Sequence, residues 1–144
     1  MSNGRILIAQ DNRGLMELTA ANVGRQANPP EVIVCEDGAL LLTQFTRLAR
    51  SGQGPRLCVV ETELKGLTGV VAAYSMRAVE RGLGHGPVPI LFYTPEPASD
   101  EFKQLLSRVG RAVHLQRATD LPVEELARRL AIAIEKLLAQ LGGR

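Results

Sequence analysis

Short apolar runs alternate along the whole chain with segments in which apolar residues recur at helical spacing, and this alternation constrains the fold more than any other feature. Five runs have the length of strands; the first is an unalternating apolar run, the pattern of a strand that is buried on both faces, and the fifth is weaker. They lie at residues 6–9, 32–35, 57–60, 89–93 and 112–115. Strands that alternate with helices form parallel β-α-β units, so we predict a doubly wound α/β domain with helices on both faces of a five-stranded sheet.

The segments between these runs predict five helices. Leu41, Phe45 and Leu48 form the apolar stripe of the second helix, and Ser99 has the character of an N-cap for the fourth. We predict that Val71, Tyr74 and Ala78 form the inner face of the third helix. The stripes of the last two helices are Phe102, Leu105, Leu106 and Val109 in the fourth, and Leu126, Leu130, Ile134, Leu137 and Leu141 in the fifth.

The composition is that of an ordinary soluble globular domain. Of the 144 residues, 45% are hydrophobic and 22% are charged, and no apolar run is long enough to cross a bilayer. The first residues lack the layout of a secretory signal. We therefore expect a cytoplasmic protein that does not associate with membranes.

The charge pattern argues against a nucleic-acid partner. The net charge is +2, the basic residues are scattered along the sequence, and aromatic residues make up only 3% of it, whereas nucleic-acid binders concentrate Lys and Arg and interleave aromatics. We interpret Arg128, Arg129 and Lys136 as the solvated face of a helix. Cys35 and Cys58 lie inside apolar runs without metal-ligand spacing, which predicts buried free thiols.

Polar residues follow the predicted strands, and four of these strand ends supply candidates for the site. Gln10 and Asp11 follow the first strand, Glu61 the third, Thr94 the fourth, and Arg117 the fifth. In open α/β sheets the ligand site lies at the carboxyl ends of the strands. These residues are therefore the candidates for a functional site.

The same segments resemble the motifs of response-regulator receiver domains. Residues 6–12 (ILIAQDN) are similar to the opening of such a domain, in which two acidic residues end the first strand. Residues 57–69 (LCVVETELKGLTG) resemble the segment that carries the phosphorylated aspartate and the following loop. Residues 89–94 (PILFYT) match the strand that ends in Thr or Ser, and residues 110–118 align with the last-strand motif that ends in Lys-Pro. The resemblance extends from about residue 5 to residue 138.

This resemblance implies a flavodoxin-like sheet with the strand order 2-1-3-4-5. It also implies that residues 1–144 form one receiver-like domain, with a core of about 5–141 and no output domain. In that order the second and third strands flank the first, which argues against a disulfide between Cys35 and Cys58.

Three residues depart from the chemistry that the family uses. Glu61 stands at the position of the phosphoacceptor aspartate, and its extra methylene carries the carboxylate roughly 1.5 Å further out. Gln10 replaces one of the two acids that hold Mg²⁺, a cation that prefers carboxylate oxygens. Arg117 replaces the lysine. We therefore expect no catalytic residue, no cofactor, and no more than weak Mg²⁺ binding at Asp11 and Glu61.

The replacements at 61 and 117 are chemically compatible with each other. Since a guanidinium makes two-pronged contacts with carboxylates, we hypothesise an internal Glu61–Arg117 ion pair; the alternative is that both are unconstrained surface residues. Thr94 keeps the identity typical of the family, or it satisfies only the local backbone. His114 occupies the position of the aromatic residue that moves inward when receivers are activated, or it is simply a partly buried histidine.

The leading hypothesis is a stand-alone pseudo-receiver, not an enzyme, that acts through protein–protein interaction. The resemblance places partner and homodimer contacts on the face of the fourth helix, fifth strand and fifth helix. On that face the candidate contacts are Phe102, Lys103, Arg108 and Arg111, beside His114.

Two alternatives remain open from the sequence. One is a receiver that is phosphorylated slowly, on Glu61 or Asp11, in a two-component phosphorelay. The other is a flavodoxin-like domain that binds a small molecule. The loop after the first strand has a single glycine and no aromatic residue, which disfavours a flavin site.

Overall fold

The computed structural model describes residues 3–142, which form five strands and five helices in strict alternation. The elements are β1 (Arg5–Ala9), α1 (Arg13–Gly24), β2 (Glu31–Cys35), α2 (Gly38–Arg50), β3 (Leu57–Glu61), α3 (Gly69–Leu83), β4 (Ile90–Thr94), α4 (Asp100–Val109), β5 (Ala112–Gln116) and α5 (Val123–Gly142). All neighbouring strands are parallel and the sheet order is β2-β1-β3-β4-β5. The predicted fold class and strand order are confirmed.

The core consists of two apolar layers, one on each face of the sheet. Alternate residues of a strand point to opposite faces, so Ile6 and Ile8 of β1 contact one layer and Leu7 the other. Helices α1 and α5 cover the first face. Helices α2, α3 and α4 cover the second. The three central strands are therefore buried on both faces, as the unalternating apolar run of β1 predicted for that strand.

Both cysteines are free and buried. Cys35 pairs in register with Ala9, and Cys58 pairs with Leu7 on the other side of β1, so the central strand separates the two thiols. Burial raises the pKa of the Cys35 thiol to about 12 and also raises that of Cys58. The prediction of buried free thiols is confirmed.

Four helices begin at a side-chain cap. Asn12, Asp37, Thr68 and Ser99 each accept a hydrogen bond from the backbone N–H three residues later, which satisfies one of the free donors at a helix N-terminus. The predicted N-cap at Ser99 is thereby confirmed. No helix within residues 3–142 is both long enough and apolar enough to cross a membrane.

The predicted inner face of α3 is wrong. Val71 and Tyr74 are 48% and 40% exposed, and Ala78 is exposed as well. The residues that face the core are Ala72, Ala73, Met76, Arg77 and Glu80. The spacing of apolar residues predicted the wrong inner face for α3 because two of its core positions hold charged residues, Arg77 and Glu80.

Arg77 and Glu80 form a buried ion pair, with Nη1 of Arg77 2.8 Å from Oε1 of Glu80. The guanidinium also donates to the carbonyls of Val109, Val88 and Gly110 at 2.9, 2.9 and 2.7 Å. The second oxygen of Glu80 accepts from the N–H of Val88 at 2.7 Å. One pair of charges on α3 therefore holds both the segment that leads into β4 and the turn between α4 and β5.

Candidate functional site

The parallel sheet brings the predicted site residues to one edge. Because all five strands run in the same direction, Gln10, Glu61, Thr94 and Arg117 all lie at the carboxyl ends of β1, β3, β4 and β5. The strands β1, β3 and β4 are consecutive neighbours in the sheet. The fold therefore assembles side chains that are up to 107 residues apart in the sequence.

Glu61 and Arg117 form an ion pair across this edge. Nη1 of Arg117 lies 3.4 Å from Oε2 of Glu61, and their side chains are 21% and 5% exposed. The backbone N–H of Arg117 donates to the carbonyl of Thr94 at 2.7 Å, which fixes where its side chain starts. The guanidinium carbon lies 6.0 Å from the centre of the Tyr93 ring. The hypothesised ion pair is confirmed, and the alternative of two unconstrained surface residues is wrong.

The environment of Glu61 raises its pKa from 4.5 to about 7. Burial is the main cause, because it removes the water that stabilises a carboxylate. The nearby Asp11 carboxylate raises the pKa further, while Arg117 and the amide of Gln10 lower it. Desolvation therefore outweighs the ion pair, and near neutral pH the site interconverts between a charged and a neutral acid.

Gln10 and Asp11 lie in different surroundings although they are adjacent. The Gln10 side chain is buried, and its Oε1 accepts from the backbone N–H of Asn12 at 3.1 Å. Asp11 is exposed. The amide oxygen of Gln10 thus supports the start of α1. Within residues 3–142, no three His, Cys, Asp or Glu side chains are grouped so that they could hold a metal ion.

Thr94 is buried at the end of β4, and its hydroxyl accepts from the backbone N–H of Glu96 at 3.3 Å. This contact is the local backbone role that the sequence left open as an alternative. The hydroxyl therefore stabilises the loop between β4 and α4.

His114 lies on the edge strand β5, in register with Phe92. Its ring meets the ring of Phe102 edge to face, with centroids 5.3 Å apart, and Phe102 meets Phe92 in the same way at 5.7 Å. The Nε2 atom of His114 is buried and has no hydrogen-bond partner among the described residues. The His114 ring thus packs inward against α4, and its role as a switch stays a prediction.

The other residues of the predicted interaction face differ in their exposure to solvent and in their contacts. Lys103 and Arg108 are exposed on α4, whereas Phe102 is half-buried by the aromatic contacts described above. Arg111 is exposed, and it donates to the carbonyl of Pro87 at 3.0 Å. Lys103 and Arg108 are therefore the accessible members, and a role in partner binding stays a prediction for all of them.

Two glycines are in close contact with the backbone of the loop after β3, and they were not identified from the sequence as part of the site. A Cβ atom at Gly69 would overlap the carbonyl oxygen of Glu61, and one at Gly38 would overlap the carbonyl oxygen of Leu67. The N-termini of α2 and α3 thus approach the β3–α3 segment within backbone contact. Local sequence carries no signal for this approach, because it joins residues that are 29 positions apart in one case.

No protein-family model matches the sequence, and no curated protein matches it. Solved structures do match. The phosphorylated cyanobacterial phytochrome response regulator RcpA superposes with a TM-score of 0.75 at 13% identity, over 96% of both chains. The receiver domain of the histidine kinase CKI1 from Arabidopsis thaliana, complexed with Mg²⁺ and BeF₃⁻, gives 0.72 at 17% identity, over 99% of this chain and 92% of that one.

This chain has the receiver fold. Vibrio cholerae CheY4, a chemotaxis protein, also matches it, with a TM-score of 0.63 at 21% identity, over 88% of this chain and 95% of that one. An aspartate-to-glutamate mutant of the CKI1 receiver domain gives 0.70 at 18% identity, over 94% of this chain and 89% of that one. At these identities the likeness concerns the backbone. The chemistry of the site therefore depends on the side chains that this chain places there.

Proposed function

We propose that this protein is a pseudo-receiver: a signalling module of the two-component type that acts through protein–protein interaction and has lost phosphotransfer. It is not an enzyme in this proposal. The observation that carries the proposal is the buried Glu61–Arg117 ion pair at the edge where the receiver fold presents its phosphoacceptor.

Two features of Glu61 oppose phosphotransfer. A phosphoryl group needs an exposed carboxylate aligned with its donor, but the Glu61 side chain is only 5% exposed and is paired with a guanidinium. Its additional methylene moves the carboxylate by roughly 1.5 Å relative to an aspartate. A misplacement of about 1 Å can cost on the order of 100-fold in a reaction that depends on alignment.

The residues at this edge fit Mg²⁺ poorly. Mg²⁺ requires near-octahedral oxygen ligands and is usually held by carboxylates. Asp11 offers one exposed carboxylate, the amide oxygen of Gln10 is engaged by a backbone N–H, and the Arg117 guanidinium lies 3.4 Å from Glu61. A fixed positive charge in this position repels a divalent cation. We therefore propose that Mg²⁺ binds weakly or not at all, and that the protein uses no cofactor.

The output of such a module is a surface. The face of α4, β5 and α5 presents Lys103 and Arg108 to solvent, beside the packed rings of Phe102 and His114. We propose that other cytoplasmic signalling proteins bind there.

The alternative is a receiver that is phosphorylated slowly. It is favoured by the raised pKa of Glu61, about 7, because a weaker acid is a stronger nucleophile once it is ionised. In this alternative the Glu61–Arg117 pair has to open before the acid reaches a phosphodonor.

Incubation with acetyl phosphate and Mg²⁺, followed by intact-mass spectrometry, separates the two proposals. We expect no phosphoryl adduct on the wild-type protein. The triple variant Gln10→Asp, Glu61→Asp and Arg117→Lys restores the charge pattern of a working receiver, and we expect it to gain one phosphoryl group. The matched control combines Gln10→Asp and Arg117→Lys with Glu61→Asn, which removes only the acceptor and should stay unmodified.

Stoichiometric phosphorylation of the wild-type protein at Glu61 would establish the slow receiver instead. Saturable binding of beryllofluoride with Mg²⁺ to the wild type, at the affinity of the triple variant, would have the same meaning.

A further inference from the structure

The fold separates the charges of the chain into two halves of opposite sign. The carboxyl-edge half is defined as the loops that follow the strands together with the first seven residues of each helix, with Glu61 at the end of β3. The amino-edge half is the remainder of residues 3–142. Twelve acids and six bases lie in the carboxyl-edge half, a net charge of −6, and ten bases and three acids lie in the amino-edge half, a net charge of +7.

Most of these charges are free to meet a partner. The exposed acids of the carboxyl-edge half are Asp11, Glu17, Glu36, Glu63, Glu96, Asp100, Glu101, Asp120 and Glu124. The exposed bases of that half are Arg13, which pairs with Glu36, and Lys65, Lys103, Arg128 and Arg129, so its exposed residues carry a net charge of −4. The exposed bases of the amino-edge half are Arg25, Arg47, Arg50, Arg81, Arg108, Arg111 and Lys136. In the amino-edge half, the exposed acids within residues 3–142 are Glu31, which pairs with Arg5, and Glu135.

The helix dipoles do not cancel this separation. All five helices run opposite to the strands, so their N-termini lie at the carboxyl edge and each contributes about half a positive charge there. Five helices therefore offset about 2.5 of the six net negative charges at the carboxyl edge. They also offset about 2.5 of the seven net positive charges at the amino edge. The exposed residues alone carry −4 at the carboxyl edge and +5 at the amino edge, so a surplus of about 1.5 negative charges and about 2.5 positive charges remains at the two ends of the molecule.

We propose that copies of this chain associate head to tail, with the amino-edge half of one copy on the carboxyl-edge half of the next. The charges favour a second copy of the chain as the partner, because the net charge of the acidic half (−6) is similar in magnitude to that of the basic half (+7). Arginine supplies nine of the ten bases of the amino-edge half, and its planar fork suits carboxylates.

The same surface fits a nucleic acid less well. No aromatic residue is exposed in the amino-edge half of residues 3–142, so bases have no platform on which to stack. A head-to-tail contact joins two different surfaces and leaves one of each free at the ends. The assembly is therefore open-ended, grows with concentration, and covers the Glu61 edge of every copy except one.

Sedimentation velocity of the purified protein at rising concentration tests the proposal. At an ionic strength of about 0.01 M the Debye length is about 30 Å, and it falls to about 8 Å at 0.15 M. We expect a series of growing species at the lower salt, and an apparent dissociation constant about tenfold or more weaker at the higher salt.

Charge variants locate the surfaces. The amino-edge variant Arg50→Glu, Arg81→Glu and Arg108→Glu should be monomeric at low salt. Its control, Arg13→Glu, Lys65→Glu and Lys103→Glu, makes the same change in net charge within the carboxyl-edge half, and it should associate at least as strongly as the wild type. Loss of association in both variants would show that net charge, and not its separation, governs assembly.

A mixing experiment then tests the polarity. The carboxyl-edge variant Glu63→Lys, Glu96→Lys and Glu101→Lys should also be monomeric alone. The carboxyl-edge variant keeps an intact basic face, and the amino-edge variant keeps an intact acidic face. When the two are mixed, we therefore expect a 1:1 complex and no larger species.

Three results would overturn the proposal. One is a wild-type monomer at every concentration at low salt. Another is a closed dimer that survives both sets of substitutions. The third is salt-sensitive binding of a duplex RNA oligonucleotide by a wild-type protein that does not self-associate, which would make a nucleic acid the occupant. None of these results bears on phosphorylation of Glu61, so this inference and the proposed function fail separately.

Discussion

Glu61 is subject to two opposing effects, and their balance sets the character of the site. Arg117 stabilises its ionised form, whereas burial destabilises it, and burial is the larger effect because the pKa is raised to about 7. A surface ion pair of this length would contribute little. Here the main effect of the Arg117 guanidinium is to reduce the free-energy cost of burying the ionised Glu61 carboxylate.

The raised pKa predicts a pH-dependent gain from Glu61→Gln. A folded-state pKa of about 7 against 4.5 means that the stability contributed by Glu61 is fully present below pH 4.5 and is lost as the pH rises through 7. The shift corresponds to on the order of 3 kcal/mol. Glutamine resembles the neutral acid at every pH, so at pH 8 we expect the variant to have a higher free energy of unfolding than the wild type by up to that amount.

Urea unfolding at pH 8 and pH 4 checks this, and the difference between variant and wild type should nearly vanish at pH 4. The exposed Glu63, two residues away, provides the control, because Glu63→Gln should give little difference at either pH. An equal effect of Glu61→Gln at both pH values would mean that shape, and not ionisation, is responsible.

At the scale of the elements, the β3–α3 segment is held by backbone contact with two helices. Gly38 begins α2 where the carbonyl of Leu67 approaches, and Gly69 begins α3 against the carbonyl of Glu61. These contacts leave no room for a side chain. The position of Glu61 therefore depends on glycines that do not touch its carboxylate.

Gly38→Ala tests how firmly this segment is held. Alanine has a higher helix propensity than glycine by about 1 kcal/mol, but its methyl group would overlap a backbone carbonyl, and overpacking of this kind typically costs about 1–3 kcal/mol. We expect a net loss in the free energy of unfolding, measured by thermal or urea denaturation.

Gly24→Ala is the matched control, since Gly24 also lies in a helix and a Cβ there would meet nothing within 4 Å. It should be neutral or stabilising. If the two variants behaved alike, the close approach at Gly38 would not constrain the loop.

At the scale of the whole molecule, the buried Arg77–Glu80 pair ties together three separate parts of the chain. Its hydrogen bonds reach Val88 before β4 and the carbonyls of Val109 and Gly110 after α4. The turn after α4 needs this support, because Gly110 and Arg111 both adopt positive φ angles, 76° and 48°. For arginine that conformation is strained by roughly 1–2 kcal/mol.

Arg77→Met should therefore destabilise the whole fold. Removing one partner leaves the Glu80 carboxylate buried without its counter-charge, a change that typically costs about 3–5 kcal/mol. Denaturant unfolding measures the loss, and Glu80→Gln combined with Arg77→Met should cost less than the sum of the single changes.

The exposed pair of Glu125 and Arg128 supplies the comparison. Glu125→Gln should leave the free energy of unfolding nearly unchanged, since exposed ion pairs contribute little. If Arg77→Met were equally mild, the buried network would not anchor the α4–β5 turn.

The order of elements, the strands, most helix faces, the cap at Ser99 and the residues at the strand ends could all be predicted without the structure. These features are local: each is encoded in the spacing of apolar residues or in a capping side chain within one turn. The parallel arrangement followed from the alternation of strands and helices. It predicted that Glu61 and Arg117 lie at the same edge, and their charges predicted the contact.

Features that depend on residues distant in the chain could be identified only in the assembled fold. The inner face of α3 was misassigned because Arg77 becomes a core residue only when the carbonyls of α4 and the partner Glu80 surround it. Ten of the sixteen bases within residues 3–142, although scattered in sequence, lie in the amino-edge half, because every helix runs in the same direction against the sheet. The pKa of Glu61 is raised because neighbouring strands and loops remove its water, and burial of that kind is a property of the assembled fold.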